Sequence, residues 1–197
     1  DDATVRLWNV AEPCSALSLN LCAPVYSVKF SPTNANLLAV GCANYRSYLY
    51  DIRNTGTPLL QIAGHKKAVS YVRFLGPDQL LTASIDSTVK HWNIPASLEQ
   101  GDAARLRCCY REHVNEKCFV GLDVRDDGYI LAGSETNEVA CYYSGLPAPV
   151  LRHSFNNGHQ AAGRRPAASS VAWSTTSNLF LAANSVGSVE LLEMTSC

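Results

Sequence analysis

The stretch LTASIDSTVKHWN, Leu81 to Asn93, decides how the rest of the chain is read. It divides into two short strands, LTAS and TVKHWN, around a tight polar turn at Ile85-Asp86-Ser87. Gly64-His65 lies upstream. An Asp in a tight turn needs donors, and a nearby His can supply one. The second imidazole nitrogen can bond a Ser hydroxyl, which can in turn take an indole N–H. The residues expected to do this are Asp86, His65, Ser84 and Trp92. Ser84, His65 and Asp86 are also the residue types of a hydrolase triad, which is recognised by geometry rather than chain order. No G-x-S-x-G elbow surrounds Ser84, so the expected role of the quartet is bracing rather than chemistry.

The stretch recurs. Counting 42 residues back from Trp92 reaches Tyr50, and another 42 reaches Trp8; counting 50 forward reaches Tyr142, and 50 more reaches Leu192. The local sequences are DDATVRLWN, ANYRSYLYD, IDSTVKHWN, ETNEVACYY and SVGSVELLE. The turn position, six residues before each endpoint, reads Asp2, Asn44, Asp86, Thr136 and Val186, so the signal fades toward the C-terminus while the register holds. Alternating segments open the repeats at 26–30, 69–74, 119–124 and 170–173, and apolar segments follow at 37–40, 79–83, 129–132 and 179–183. No helical pattern stands out.

A period of 42 with this pattern is the signature of WD40 β-propeller blades. The expected fold is therefore all-β, one partial propeller over residues 1–197 with repeat ends near 8, 50, 92, 142 and 192. That makes four full repeats plus the last strand of a fifth. Seven blades need about 300 residues, so the expectation is about four and a half blades of a seven-bladed propeller. The two 50-residue periods imply mobile insertions at 95–104 and 155–168.

Composition narrows the classes of function. With 16 basic and 17 acidic side chains the net charge is −1, which offers no general attraction to nucleic acid or membrane. Arg164-Arg165 is too small a basic cluster to indicate nucleic acid. No apolar run approaches the roughly 18 residues of a membrane helix. None of the eight cysteines forms a C-x-x-C pair or a Cys/His set with zinc spacing, so no metal or cofactor is expected. Free thiols on strand-like segments suit a reducing intracellular compartment. The chain opens at Asp1 without Met, which suggests that the natural N-terminus lies upstream.

Several segments are more specific than the repeat requires: Gly64 to Phe74 (GHKKAVSYVRF), Asn115 to Leu122 (NEKCFVGL), Gly133 to Val139 (GSETNEV), Tyr50 to Arg53 and Ala183 to Ser185. Together they resemble the C-terminal WD40 domain of the constitutively photomorphogenic E3 ubiquitin ligase and its suppressor-of-phytochrome-A partners. LPAP at 146–149 and the ending AANSVGSVELL look closer to the suppressor branch. The resemblance implies a nuclear and cytoplasmic substrate receptor in light signalling. Such a receptor binds Val-Pro motifs with acidic flanks in transcription factors and photoreceptors, and works beside ligase or suppressor partners of the same family.

The pocket residues implied by the resemblance are Lys67, Glu116 and Phe119, with Tyr45 where the family often has His. Others would fall in blades outside this chain. Cys118 stands where the family usually has Asn, which puts that loop contact in doubt. Tyr50-Asp51-Ile52-Arg53 resembles the W-D-x-R box that docks on the cullin-4 adaptor, with Asp51 and Arg53 as the contacts and Tyr in place of Trp. Each has a plainer reading. Lys67 is half of a solvated pair with Lys66, Phe119 alternates with Gly121 as a core strand residue would, and Arg53 follows a strand as a surface residue. Two functional alternatives stand beside the receptor: a generic WD40 scaffold with an unrelated partner, and an enzyme, for which no metal cluster, phosphate loop or nucleophile motif is present.

Overall fold

The computed structural model describes residues 2–98, 102–155 and 166–195. All of its regular structure is β. A two-stranded sheet, β1 (Thr4–Trp8) and β2 (Ser15–Asn20), comes first. Three four-stranded sheets follow: β3 (Val25–Phe30), β4 (Leu37–Cys42), β5 (Arg46–Asp51) and β6 (Leu60–Ala63); β7 (Val69–Gly76), β8 (Gln79–Ser84), β9 (Thr88–Asn93) and β10 (Arg105–Tyr110); β11 (Leu122–Val124), β12 (Tyr129–Gly133), β13 (Glu138–Tyr143) and β14 (Leu151–Ser154). The last sheet has three strands, β15 (Ala168–Trp173), β16 (Leu179–Asn184) and β17 (Val189–Glu193). Every sheet is an antiparallel meander, and β3, β7, β11 and β15 neighbour one another as the innermost strands. This is a β-propeller of the WD40 kind.

The alternation of strand side chains builds the core. Leu80 packs toward the preceding sheet with Leu37, Leu49, Val72 and Trp92, while its neighbour Leu81 packs toward the following one with Tyr110, Ile130 and Tyr142. Ile130 and Leu131 divide in the same way between two interfaces. The blades are therefore held by apolar layers between sheets, each residue of a central strand serving one side or the other.

The turns repeat as strictly as the strands. Ala3, Tyr45, Ser87, Asn137 and Gly187, five residues before each repeat endpoint, all adopt positive φ, between 56° and 94°. Two glycines are fixed by close approach. A Cβ on Gly64, at φ +148°, would lie 2.8 Å from the Trp92 ring, and one on Gly121 would lie 2.6 Å from the Val171 amide.

Three expectations need revision. Phe119 is not in a strand: β11 begins at Leu122, because the chain reaches the inner strand only after Gly121 passes against Ser170 and Val171. The outer strands β2, β6, β10 and β14 carried no expected pattern and are present. Of the 95–104 insertion, Leu98 and Ala104 pack on the core beside buried Ile94; residues 99–101, and 156–165 of the second insertion with Arg164 and Arg165, lie outside the described residues.

Candidate peptide-binding face

Antiparallel meanders sort the connections onto two faces. The β4–β5, β8–β9 and β12–β13 turns share one with the links that enter β3, β7 and β11. Backbone bonds join them: Ala43 N–H to Pro24 C=O (2.9 Å), Ile85 N–H to Ala68 C=O (3.2 Å) and Glu135 N–H to Val114 C=O (2.8 Å). Tyr45, Lys67, Glu116 and Phe119 all lie on this face, in three different blades' connections. Asp51 and Arg53 lie on the other, where Ile52 N–H meets Asn36 C=O (2.9 Å). The expected peptide contacts and the expected adaptor contacts are thus on opposite sides.

The bracing quartet sits beneath the first face, with one change. His65 Nδ1 is 3.1 Å from Asp86 Oδ2, and its Nε2 is 2.7 Å from the hydroxyl of Thr82, not of Ser84. Trp92 Nε1–H donates to the same Thr82 oxygen at 2.8 Å. With Nδ1–H given to the carboxylate, Nε2 accepts from the Thr82 hydroxyl, and the chain of bonds runs Trp92, Thr82, His65, Asp86. Ser84 instead donates to Lys67 C=O (3.1 Å) and accepts from Asp86 N–H (3.1 Å). It ties the turn to the Lys67 link and is not hydrogen-bonded to His65, so a triad is not assembled. Asp86 also accepts from Lys66 N–H (2.8 Å) and from the Thr88 hydroxyl (2.6 Å). Burial pushes its carboxyl up, but the His65, Thr88 and Lys66 donors outweigh it and hold the pKa well below the usual carboxylate range.

This bracing fixes Lys67, which projects from a link pinned by Asp86 at one residue and Ser84 at the next. Lys67 itself is exposed. Tyr45 is 52% exposed at φ 70°, a left-handed conformation uncommon for a bulky side chain. Phe119 is 50% exposed and packs against Tyr26, with ring centroids 4.9 Å apart and the ring planes tilted by 57°. Tyr26 heads β3, two sheets away, so the pair makes an aromatic surface near the axis. Sequence reasoning placed Tyr26 in a strand and gave it no further role; its position at the start of an inner strand was the available signal.

The loop carrying Glu116 and Phe119 is held at both ends. Asn115 exchanges bonds with Ser87 of the neighbouring sheet, its C=O accepting from Ser87 N–H (3.1 Å) and its N–H donating to Ser87 Oγ (2.9 Å). Beyond it, Glu135 Oε1 accepts from the N–H groups of Glu116, Lys117 and Cys118 at 2.7, 2.6 and 2.8 Å. Glu135 was not a sequence candidate. On the opposite face Arg53 folds back onto Asp51, with Nε 3.0 Å from Oδ1 and a terminal nitrogen 2.6 Å from Oδ2, and lowers the Asp51 carboxyl to about 2. Among the described residues no group of three or more His, Cys, Asp or Glu could hold a metal ion, and no helix is long and apolar enough to cross a membrane.

The WD domain, G-beta repeat family matches at residues 56–93, the stretch that contains Gly64-His65 and Trp92. The chain is a WD40 repeat domain. Over 98% of its length this WD40 domain is 40% identical to Protein SUPPRESSOR OF PHYA-105 1 of Arabidopsis thaliana, of which it covers 19%. It is 38% identical, again over 98%, to E3 ubiquitin-protein ligase COP1 of the same plant, covering 28% of that protein. WD repeat-containing protein RUP1 of Arabidopsis thaliana is 37% identical over 76% of the chain, which covers 38% of it. The domain thus spans well under half the length of these relatives. Among solved structures, the computationally designed Ika4 protein superposes with a TM-score of 0.68 at 17% identity, over 89% of this chain and 94% of that one. The designed Ika8 protein gives 0.72 at 18% identity, over 98% and 53%. Those two likenesses concern the fold alone.

Proposed function

We propose that this WD40 domain is a substrate receptor of a cullin-RING-type E3 ubiquitin-ligase complex. It takes Val-Pro-containing segments of transcription factors and photoreceptors on the face that carries Lys67, Glu116, Phe119 and Tyr45. The observation that supports this reading most is the arrangement of that face: a pinned lysine, an exposed aromatic pair and a clamped loop, in a chain close in sequence to a ubiquitin ligase over nearly its whole length. The Phe119 and Tyr26 rings offer an apolar seat for Pro and Val, Lys67 meets an acidic flank and Glu116 a basic one. Asp51 and Arg53, on the far side, dock the cullin-4 adaptor, so substrate and adaptor do not compete for the same surface. The bond-forming chemistry of ubiquitin transfer belongs to other parts of the complex; this domain binds.

Titration of a labelled, Glu-rich Val-Pro peptide tests the assignment. Lys67→Glu weakens binding by on the order of tenfold or more, because it reverses one member of a charge pair at the contact. Tyr45→Gly relieves a left-handed backbone and leaves folded stability within about 1 kcal/mol, yet weakens binding. Affinity unmoved by Lys67→Glu sinks the site.

A further inference from the structure

We propose that Glu135 is the positioning residue of the recognition loop, holding residues 116–118 so that Glu116 and Phe119 present their side chains in one arrangement; this rests on reading the face as a peptide site. The geometry is specific. A single carboxylate oxygen takes three successive backbone N–H groups, from Glu116, Lys117 and Cys118, all within 2.8 Å. Three converging donors at that distance are charge-assisted bonds, and they leave the loop little freedom at the residues just before Phe119.

Glu135 is itself immobilised. Its N–H donates to Val114 C=O at 2.8 Å, and the preceding Ser134 Oγ accepts from Val114 N–H at 3.0 Å. The clamp therefore works from a turn already fastened to the start of the same loop. At the other boundary Gly121 must pass against Ser170 and Val171, so only Phe119 and Val120 lie between the two fixed points. That is how a residue outside any strand comes to lie against Tyr26, two sheets away. Desolvation pushes the Glu135 carboxyl up, but the loop's N–H donors, with the Lys117 charge adding to them, outweigh it and leave it below the usual value, so the clamp is ionised at neutral pH. The space beside it, 380 Å³, is lined by Val114, Glu116, Lys117, Cys118, Glu135 and Thr136 together with Ala167, the residue before β15.

The test combines amide hydrogen exchange with peptide titration. In Glu135→Ala the amides of Lys117 and Cys118 exchange at least about tenfold faster while those of Thr82 and Val89 keep their rates, and peptide affinity falls by about tenfold or more. Glu135→Gln retains an acceptor oxygen and restores part of both. A double-mutant cycle separates positioning from general stability: in the Glu135→Ala background Phe119→Ala costs little more, whereas Lys67→Glu keeps its full effect. Unchanged exchange at 117 and 118, or a Phe119→Ala effect as large without Glu135 as with it, overturns the proposal. Faster exchange in a protein whose wild type binds no peptide leaves the clamp standing and sinks the peptide reading, so the two failures are told apart.

Discussion

The third and fourth sheets, β7–β10 and β11–β14, place a histidine at the same point and treat it in opposite ways. Strand register makes His65 and His113 counterparts: Ile62 pairs with Ser47 as Tyr110 pairs with Val89, and each His follows three residues later. Fifty residues separate the other members, so Asp86, Thr82 and Trp92 correspond to Thr136, Ala132 and Tyr142. His65 has an acid on one nitrogen and a hydroxyl on the other. His113 Nδ1 reaches the Tyr142 hydroxyl at 3.1 Å, and that hydroxyl donates onward to Arg111 C=O. Its Nε2 is buried without a partner, because Ala132 carries no hydroxyl where Thr82 does. The same fold position thus tolerates either a charged relay or a neutral ring. The fold needs the volume and one anchoring bond; the acid is an addition.

The largest effect sharpens that contrast at the ring that ends the repeat. Trp92 is buried, closes over Gly64 and bonds Thr82. Trp92→Ala lowers unfolding stability by about 3–5 kcal/mol through lost burial and an unfilled cavity. Most of that loss is expected to appear as a lower urea midpoint, since the ring lies in the core with Leu37, Leu49, Val72 and Leu80. An unmoved midpoint would mean that the ring does not contribute its burial to the folded state.

Acid acts on His113 next. Burial is the first cause of the lowered His113 pKa, which falls from 6.5 to about 4, and the nearby Asp86 charge only partly offsets it. A histidine whose folded pKa lies below its unfolded value binds fewer protons when folded. Its contribution to stability is therefore whole above about 6.5, declines as pH falls, and is lost by about 4. The full shift corresponds to on the order of 3 kcal/mol. His91, buried and likewise lowered to about 4, titrates over the same window, so His113→Gln removes part of the acid slope and not all of it. Asp86 has the opposite sense. Its folded pKa is depressed, so what it contributes is present above the ordinary carboxylate range and lost only at lower pH still. Urea unfolding followed as the pH falls from about 6.5 to about 4 accordingly loses part of its acid slope in His113→Gln; a slope left unchanged would break the comparison.

How far the residues announced this depends on which side chains face what. Inner and central strands alternate apolar side chains, or are apolar throughout, because both faces are covered, and their pattern at 37–40, 69–74 and 129–132 was legible. The outer strands β2, β10 and β14 are largely exposed, so no apolar period marks them. Phe119 alternated correctly with Gly121 and still lay in a loop, since the clamp by Glu135 and the close passage of Gly121 are long-range facts. The candidate face rests on motif resemblance; Tyr26 and Glu135 come from different repeats, and no spacing in the chain joins them to the loop.

Ser84 and Thr82 show the limit most closely, and they supply the smallest of the expected effects. Two residues apart on β8, they point to the same side of the strand, and either hydroxyl satisfies a sequence-level chain from Trp92 to His65. The fourth sheet shows which duty belongs to which. Ser134, the counterpart of Ser84, contacts Val114 C=O just as Ser84 contacts Lys67 C=O, and it does so beside a histidine with no acid. The serine therefore fastens the turn to the incoming link in both sheets, and the relay belongs to Thr82 alone. Thr82→Val strands the Trp92 N–H and the His65 Nε2 inside the core and costs about 1–3 kcal/mol. Ser84→Ala loosens a link at the surface of the face and costs about 1 kcal/mol, with His65 still on Asp86. An NMR titration distinguishes them without reference to magnitude: the His65 ring resonances move in Thr82→Val and stay in place in Ser84→Ala. If Ser84→Ala moves them instead, the relay runs through the serine and the correspondence between the two sheets fails.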